Sequence, residues 1–291
     1  MDLWQEYRQP TSITEAIKYL ISAPAPVVPI AGGTDLLLDM RQGRHAPAQT
    51  LLDLTGIPEL NTIEKHSGSL FIGACTCITH IITHPLVAKH AQALVDACDL
   101  IAGPQVRNVA TLGGNVAHAL PAADGTIAMI ALSATAEIAS PQGLRQMPLQ
   151  KLFRGPGKSA IDRSCELIVG FYIPQAHPGQ GSAFRRIMRP QGVALPILNC
   201  AVWVERADDC IKDTRIAVGP GGPIPFRATD AEKFLGGQQY IQETIVHAGT
   251  TLLEQGSFRT SPRRATSEYR KHILPGLFRE TFQQAWSRTF Q

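Results

Sequence analysis

Several signals that would assign this 291-residue chain to a large function class are missing from it. No apolar run approaches the roughly 20 residues that cross a bilayer. The amino terminus, Met1-Asp2-Leu3-Trp4-Gln5-Glu6-Tyr7, has no basic stretch leading into an apolar one, so neither a membrane span nor a secretory leader is expected and the expected location is cytoplasmic. The net charge is only +3 and no Lys/Arg-rich run is present, which argues against a nucleic-acid partner. The six cysteines (Cys75, Cys77, Cys98, Cys165, Cys200 and Cys210) form no Cys-x-x-Cys pair. Cys75 and Cys77 would share one face of a strand and resemble a metal fragment, but buried free thiols are the plainer reading. The spacing that an iron–sulfur cluster needs is absent, and no metal site is expected.

The usual phosphate and catalytic signatures are also missing. No Gly-x-Gly-x-x-Gly follows a strand. Gly157-Lys158-Ser159 imitates the end of a P-loop, but Leu152 stands where that loop requires glycine. His80 and His84 are four apart, yet Ile81 occupies the place of a zinc-protease glutamate, which leaves surface or capping roles. No Gly-x-Ser-x-Gly elbow supports a serine nucleophile.

What remains is an ordinary globular composition, 44% hydrophobic and 18% charged, with enough apolar surface for one large domain or two smaller ones. Ile13, Ala16, Ile17, Leu20 and Ile21 recur at helical spacing, with Thr11 or Ser12 as cap and Glu15 placed to complete a capping box. Val27–Ile30 and Leu51–Leu54 read as strands around a short helix at 36–40, a small βαβ unit. Strands follow at 69–74, 135–139 and 166–173, with helices at 78–82, 90–100 and 124–132. The Pro/Gly/Gln-rich stretch 174–181 is the expected domain boundary. Beyond it, strands at 198–205 and 214–219 precede helices at 228–235, 240–254 and 266–286, the last expected to kink or break at Pro275-Gly276. In that helix Arg270, Lys271, His272 and Arg279 read as a solvated face, and Phe282 and Trp286 could mark a docking surface.

Two glycine-rich loops carry the chemical signal. They are Ala31-Gly32-Gly33-Thr34-Asp35 and Thr111-Leu112-Gly113-Gly114-Asn115. Glycine lets backbone approach a ligand closely and take φ > 0, and successive N–H groups in such a turn converge on an anion. Thr34 and Thr111 add hydroxyls, and a helix opening at Thr34-Asp35 would add free N–H groups. Each pair could equally be an ordinary tight turn; two of them suit the two charged groups of a pyrophosphate.

With these loops in view, the chain resembles the FAD-binding (medium) subunits of the xanthine dehydrogenase and carbon monoxide dehydrogenase family of molybdenum hydroxylases. Ala31–Leu36 and Ala110–Asn115 look like its two FAD loops. Ile101–Asn108, Gly155-Pro156-Gly157-Lys158 and Ser267-Glu268-Tyr269-Arg270 match further stretches in the right order along nearly the whole chain. The resemblance implies an α+β fold: a PCMH-type FAD-binding domain over residues 1–175, with subdomains of roughly 1–60 and 61–175, then a C-terminal α+β domain over 176–291 made of a small sheet covered by helices.

It also implies roles. Val28, Pro29, Ile30, Ala31, Gly32, Gly33, Thr34 and Asp35 would wrap the pyrophosphate and approach the flavin. Thr111, Gly113, Gly114 and Asn115 would hold the other side, with Ile101 in the segment before them. Asp124 would meet the adenosine ribose, a helix N-cap being an equally good reading. Ile168 would pack on the flavin, or be plain strand core. Arg185 would stand where relatives often carry lysine near the flavin. No residue of this chain is assigned a catalytic role. The cofactor would be non-covalent FAD, because the first loop holds no His or Cys for attachment. The partners would be a molybdopterin-binding subunit, a 2Fe–2S subunit and an external acceptor such as NAD, oxygen or a quinone. Two departures stand out: Val193 replaces an expected Asp, which touches acceptor choice, and Gly125-Thr126-Ile127 lacks the proline that many relatives carry after Asp124. A self-contained FAD-dependent oxidase or reductase of the same fold, or a non-catalytic scaffold subunit, are the alternatives.

Overall fold

A computed structural model describes residues 2–189, 195–262 and 264–291. Val193 lies outside the described residues.

The chain is α+β and builds three main sheets. The first is parallel, with Ala48–Asp53 between Trp4–Arg8 and Val27–Ile30. The helix Ile13–Ser22 covers it. Ser12 caps that helix by accepting from the Glu15 N–H, and the Glu15 carboxylate reaches back to the Thr11 N–H at 2.7 Å, so the expected capping box forms across Thr11 and Ser12 together. The helical spacing of Ala16, Ile17 and Leu20 buries all three. They share a core with Leu52, Leu54, Phe71, Leu167 and Val169, which fastens this layer to the next sheet.

The second sheet is antiparallel throughout, in the order Ile63–His66, Ser69–Gly73, Leu167–Pro174, Thr135–Ser140, Gly143–Pro148. Alternation along Leu167–Val169 splits its side chains between two cores: Leu167 and Val169 face the N-terminal layer, Ile168 the opposite one. On that opposite side the helices Gln92–Asp99 and Asp124–Ala131 separate the second sheet from the third, and every residue of Asp124–Ala131 is buried. A helix buried on every side between two sheets has no solvent face to mark.

The third sheet runs Gln180–Met188, Pro196–Ala207, Cys210–Gly219, Phe226–Arg227, all antiparallel neighbours. Phe184, Ala201, Trp203 and Ala217 face the helices Gln92–Asp99 and Asp124–Ala131. Ala183, Cys200, Val202 and Val218 face the helices Thr229–Leu235, Gln242–Gln255 and Ser267–Ser287. Of the kink or break expected at Pro275-Gly276, the break is corrected: the helix Ser267–Ser287 continues through it. Leu274, Leu277, Phe278 and Phe282 on either side of the proline are buried against the sheet, and this packing offsets the missing N–H. The docking surface read at Phe282 and Trp286 is likewise corrected. Both are core residues, stacked on Tyr240. Two ties lock the layers together at the chain end, where Arg288 forks onto Asp96 at 2.5 and 3.1 Å and donates to the Ser182 carbonyl at 2.7 Å.

Candidate functional site

The first glycine loop leaves the strand Val27–Ile30 and enters the helix Leu36–Arg41, so Val28, Pro29 and Ile30 form its base. Gly33 sits at φ +66°, a region that side-chain-bearing residues rarely adopt. Among the described residues, the N–H groups of Gly32, Gly33, Thr34, Asp35 and Leu36 have no protein acceptor. Ala31 is partly buried at the head of this row. Five consecutive donors without partners form a row suited to an anion.

The second loop is built differently, and the expectation of a second nest is corrected here. Thr111 caps the helix Leu112–Ala117, its hydroxyl accepting from the Gly114 N–H at 3.1 Å. The N–H of Leu112 goes to Thr76 O, that of Gly113 to Ala74 O and that of Asn115 to Thr111 O. The backbone donors of Leu112, Gly113, Gly114 and Asn115 are therefore committed within the protein. Gly113 is needed for packing, since a Cβ there would meet Ala74 O at 2.6 Å. Gly114 is exposed, and a Cβ there would meet only the Thr111 hydroxyl, at 3.1 Å. What this loop can still offer is the Thr111 N–H, the Thr111 hydroxyl proton and an open glycine.

The two loops meet. A Cβ on Gly32 would fall 2.0 Å from Val109 O and 2.9 Å from the Ala110 Cα, so backbone lies on backbone there. Asp35 of the first loop lies 3.2 Å from His118 Nδ1, immediately after the helix of the second. That contact holds the Asp35 carboxyl below its usual range and the His118 imidazole above its usual range. His118 carries no motif in the sequence; its spacing from the glycines was the one available hint. Arg107 is a second residue that sequence reasoning passed over. Its Nη1 donates to the carbonyls of Asp99, Ile101 and Ala102, which shapes the turn at Ala102 (φ +45°) and positions Ile101, half-buried beside the core.

The remaining expected site residues fall in two places. Ile168 sits at a register shift in the strand Leu167–Pro174; next to it, Val169 O accepts from Ala74, the residue whose own carbonyl receives Gly113. Its strand is thereby tied to the second loop. Asn115 Oδ1 accepts from the N–H and hydroxyl of Thr126, fixing the start of the helix Asp124–Ala131 against the same loop. Ala123 is the cap residue of that helix, without a side-chain cap. Asp124 instead turns to the third sheet, 2.5 Å from Arg186 Nη1 and 2.7 Å from Asn199 Nδ2. Burial pushes its carboxyl up from the ordinary range, and Arg186 and Asn199 pull against that. Arg185 points away from this group. It pairs with Glu280 at 2.8 Å and Gln284 at 2.9 Å on the helix Ser267–Ser287, and the guanidinium facing Asp124 belongs to Arg186. Alternation along the strand makes the two arginines face opposite sides.

Among the described residues no group of three or more His, Cys, Asp or Glu lies where it could hold a metal ion. His84 caps the helix Pro85–His90 by accepting from the Leu86 N–H. Cys75, Cys98 and Cys200 are buried, and all six cysteines are free.

Comparison with known proteins covers nearly the whole chain. The family of the FAD binding domain in molybdopterin dehydrogenase matches residues 4–176, and the CO dehydrogenase flavoprotein C-terminal domain matches 182–285. The chain is 30% identical over 281 residues to the putative xanthine dehydrogenase FAD-binding subunit of Escherichia coli strain K12, covering 96% of this chain and 95% of the relative. It is 33% identical over 284 residues to the nicotine 6-hydroxylase medium subunit of Paenarthrobacter nicotinovorans, covering 97% and 98%. Among solved structures, a carbon monoxide dehydrogenase from Hydrogenophaga pseudoflava superimposes with a TM-score of 0.92 at 28% identity, covering 97% of both chains.

Proposed function

The chain belongs to the family of FAD-binding domains of molybdopterin dehydrogenases, and on that premise we propose that it is the flavoprotein subunit of a molybdenum hydroxylase complex, taking electrons from iron–sulfur clusters on a 2Fe–2S subunit and delivering them to an external acceptor. The substrate is oxidised on a separate molybdopterin-binding subunit. When bound, FAD supplies the exchange between one-electron arrivals and a two-electron departure.

The observation that carries the reading is the docking of the two glycine loops, with a free row of N–H groups on the first. The residues present suit the cofactor. Gly32 to Leu36 would hold pyrophosphate oxygens through backbone donors. Thr111 would donate its hydroxyl from the facing side, and Gly114 leaves room for a close approach. Asp35 keeps its carboxylate paired with His118, so the negative charge beside the pyrophosphate row is partly compensated. Ile101 and Ile168 would provide apolar surface for a flat ring. The first loop holds no His or Cys, and the buried Cys75 thiol is pushed up to about 12, so non-covalent binding is the expected mode. The acceptor is NAD, oxygen or a quinone.

The test is the visible spectrum of the purified chain, followed by acid precipitation. Flavin absorption released into the supernatant, together with copurifying iron and molybdenum on other polypeptides, is the expected result. A colourless protein that takes up no added FAD would overturn the cofactor assignment and favour a scaffold.

A further inference from the structure

Arg270 is only 1% exposed and heads the fully buried side chains by size, so the solvated face read for it in the sequence is corrected. Among the described residues, its Nε and Nη1 are buried with no hydrogen-bond partner. Sheltered arginines are ordinarily paired with a carboxylate, as Arg186 is with Asp124 and Arg288 with Asp96. Arg270 has cations beside it instead. Burial first, then the charges of Arg264 and Arg259, push its guanidinium down from the ordinary range; burial and Arg259 do the same to Arg264.

A folded loop brings these cations together. The segment between the helices Gln242–Gln255 and Ser267–Ser287 carries both Arg259 and Arg264. Ser267 fastens its start to the last helix, donating its N–H to the Thr260 hydroxyl at 3.0 Å and its own hydroxyl to Phe258 O at 2.7 Å. Ser261 and Ala265 form a bridge, and the Arg264 N–H closes a turn onto Ser261 O at 3.0 Å. Arg189, just past the strand Gln180–Met188, reaches the Arg264 carbonyl at 3.4 Å and adds a further cation. Arg270 lies near the start of a 21-residue helix, where the dipole is positive and a cation is disfavoured. Glu268, the acid of that turn, is exposed and leaves the helix about 200° around from Arg270.

A guanidinium only donates, so the orphaned atoms of Arg270 call for an acceptor. Water would accept but leave the charges uncompensated. A phosphate-type oxyanion supplies several acceptor oxygens and more than one negative charge, which suits arginines converging from a loop and a helix end. Arg259 is exposed and Arg264 half-buried, so entry from the surface displaces long side chains and no core residue. We propose that Arg259, Arg264 and Arg270 form a binding site for a free phosphate-type oxyanion, which ties this loop to the start of the last helix. The site uses none of the residues given to the flavin.

The experiment is thermal unfolding of the full chain, with FAD in excess, in inorganic phosphate and in chloride at equal ionic strength and pH. Phosphate at ten times its Kd should raise Tm by about 3 °C. Arg259→Gln or Arg264→Gln, weakening binding about tenfold, should leave a gain of about 1 °C. In chloride both variants should melt at or above the parent, because a repelling charge has gone. Variants that melt lower in chloride and keep the full phosphate gain would overturn the proposal, since that is the signature of a purely structural arginine. A gain equal in all three proteins would overturn it as a general salt effect or as binding at the first glycine loop. No gain in the parent would overturn it in favour of water or of an acidic segment on a partner subunit. Arg259→Gln, at an exposed position, carries the test if Arg264→Gln fails to fold.

Discussion

Replacing Gly32 by alanine tests the loop docking most directly. The added Cβ would stand 2.0 Å from Val109 O, where real Cβ contacts are essentially never under 3.0 Å. Both partners are backbone, so no side-chain rotation relieves the clash, and the two loops must separate by about 1 Å. Overpacking of this kind costs about 1–3 kcal/mol, and the absence of a flexible neighbour puts Gly32→Ala at the upper end. For a domain of this size that is a fall in Tm of roughly 5–10 °C. A shift of about 1 Å also spoils hydrogen-bond geometry from the first loop, so FAD binding should weaken by about tenfold or more. Gly276→Ala is the internal control. Nothing lies within 4 Å of the Cβ it would carry, and it sits inside the helix Ser267–Ser287, so it should be neutral or stabilise by about 0.5–1 kcal/mol. Differential scanning calorimetry and FAD titration read both variants. A Gly32→Ala protein that melts with the parent and holds FAD equally well would refute the backbone-on-backbone contact.

Asp96→Asn should destabilise by about 2–4 kcal/mol, because it leaves the partly buried Arg288 guanidinium without its counter-charge; a loss in denaturant titration below about 1 kcal/mol would count against the clamp. The Asp35–His118 contact has a defined pH window. The His118 pKa is raised in the folded protein, so its contribution is complete below 6.5 and fades as pH climbs through the raised value; the Asp35 pKa is depressed, so its contribution fades only as pH falls through that lower value. Because Asp35 is exposed, the effect should stay below about 1 kcal/mol, and His118→Gln should flatten the alkaline limb of a stability-versus-pH curve, which an unchanged limb would contradict. Burial pushes the Cys75 and Cys200 thiols up to about 12 and Cys98 upward as well, so a colorimetric thiol reagent near pH 8 should leave these three unmodified in the native protein and react with all six after denaturation. Rapid native modification of any of the three would show that its burial is not maintained.

Much of the fold could be read from sequence because its surface elements carry local signals. The Ser12–Glu15 cap and the spacing of Ile13 to Leu20 specify one helix almost unaided. The apolar run ending at Ile173 announces the strand that links two cores. Trp4–Arg8 was not legible, because a parallel strand stabilised by pairing with distant Ala48–Asp53 leaves no local pattern. Pro275 misled for the same reason in reverse: a local breaker was overridden by tertiary packing on both of its sides. At the site, glycine pairs mark where backbone must come close, but they do not say to what. Gly32 comes close to Val109 and Gly113 to Ala74, both within the protein, while Gly33 sets the turn whose N–H groups remain free. The two loops that look alike in sequence therefore do different work, and only the hydrogen bonds of the folded chain tell the donor row from the packed turn. Arg185 and Arg186 make the same point for charge. Adjacent in sequence and chemically identical, they are sent to opposite faces by the strand period of two, one to an exposed pair with Glu280 and the other to buried Asp124. A register error of one residue is invisible to a motif and decides which arginine meets Asp124.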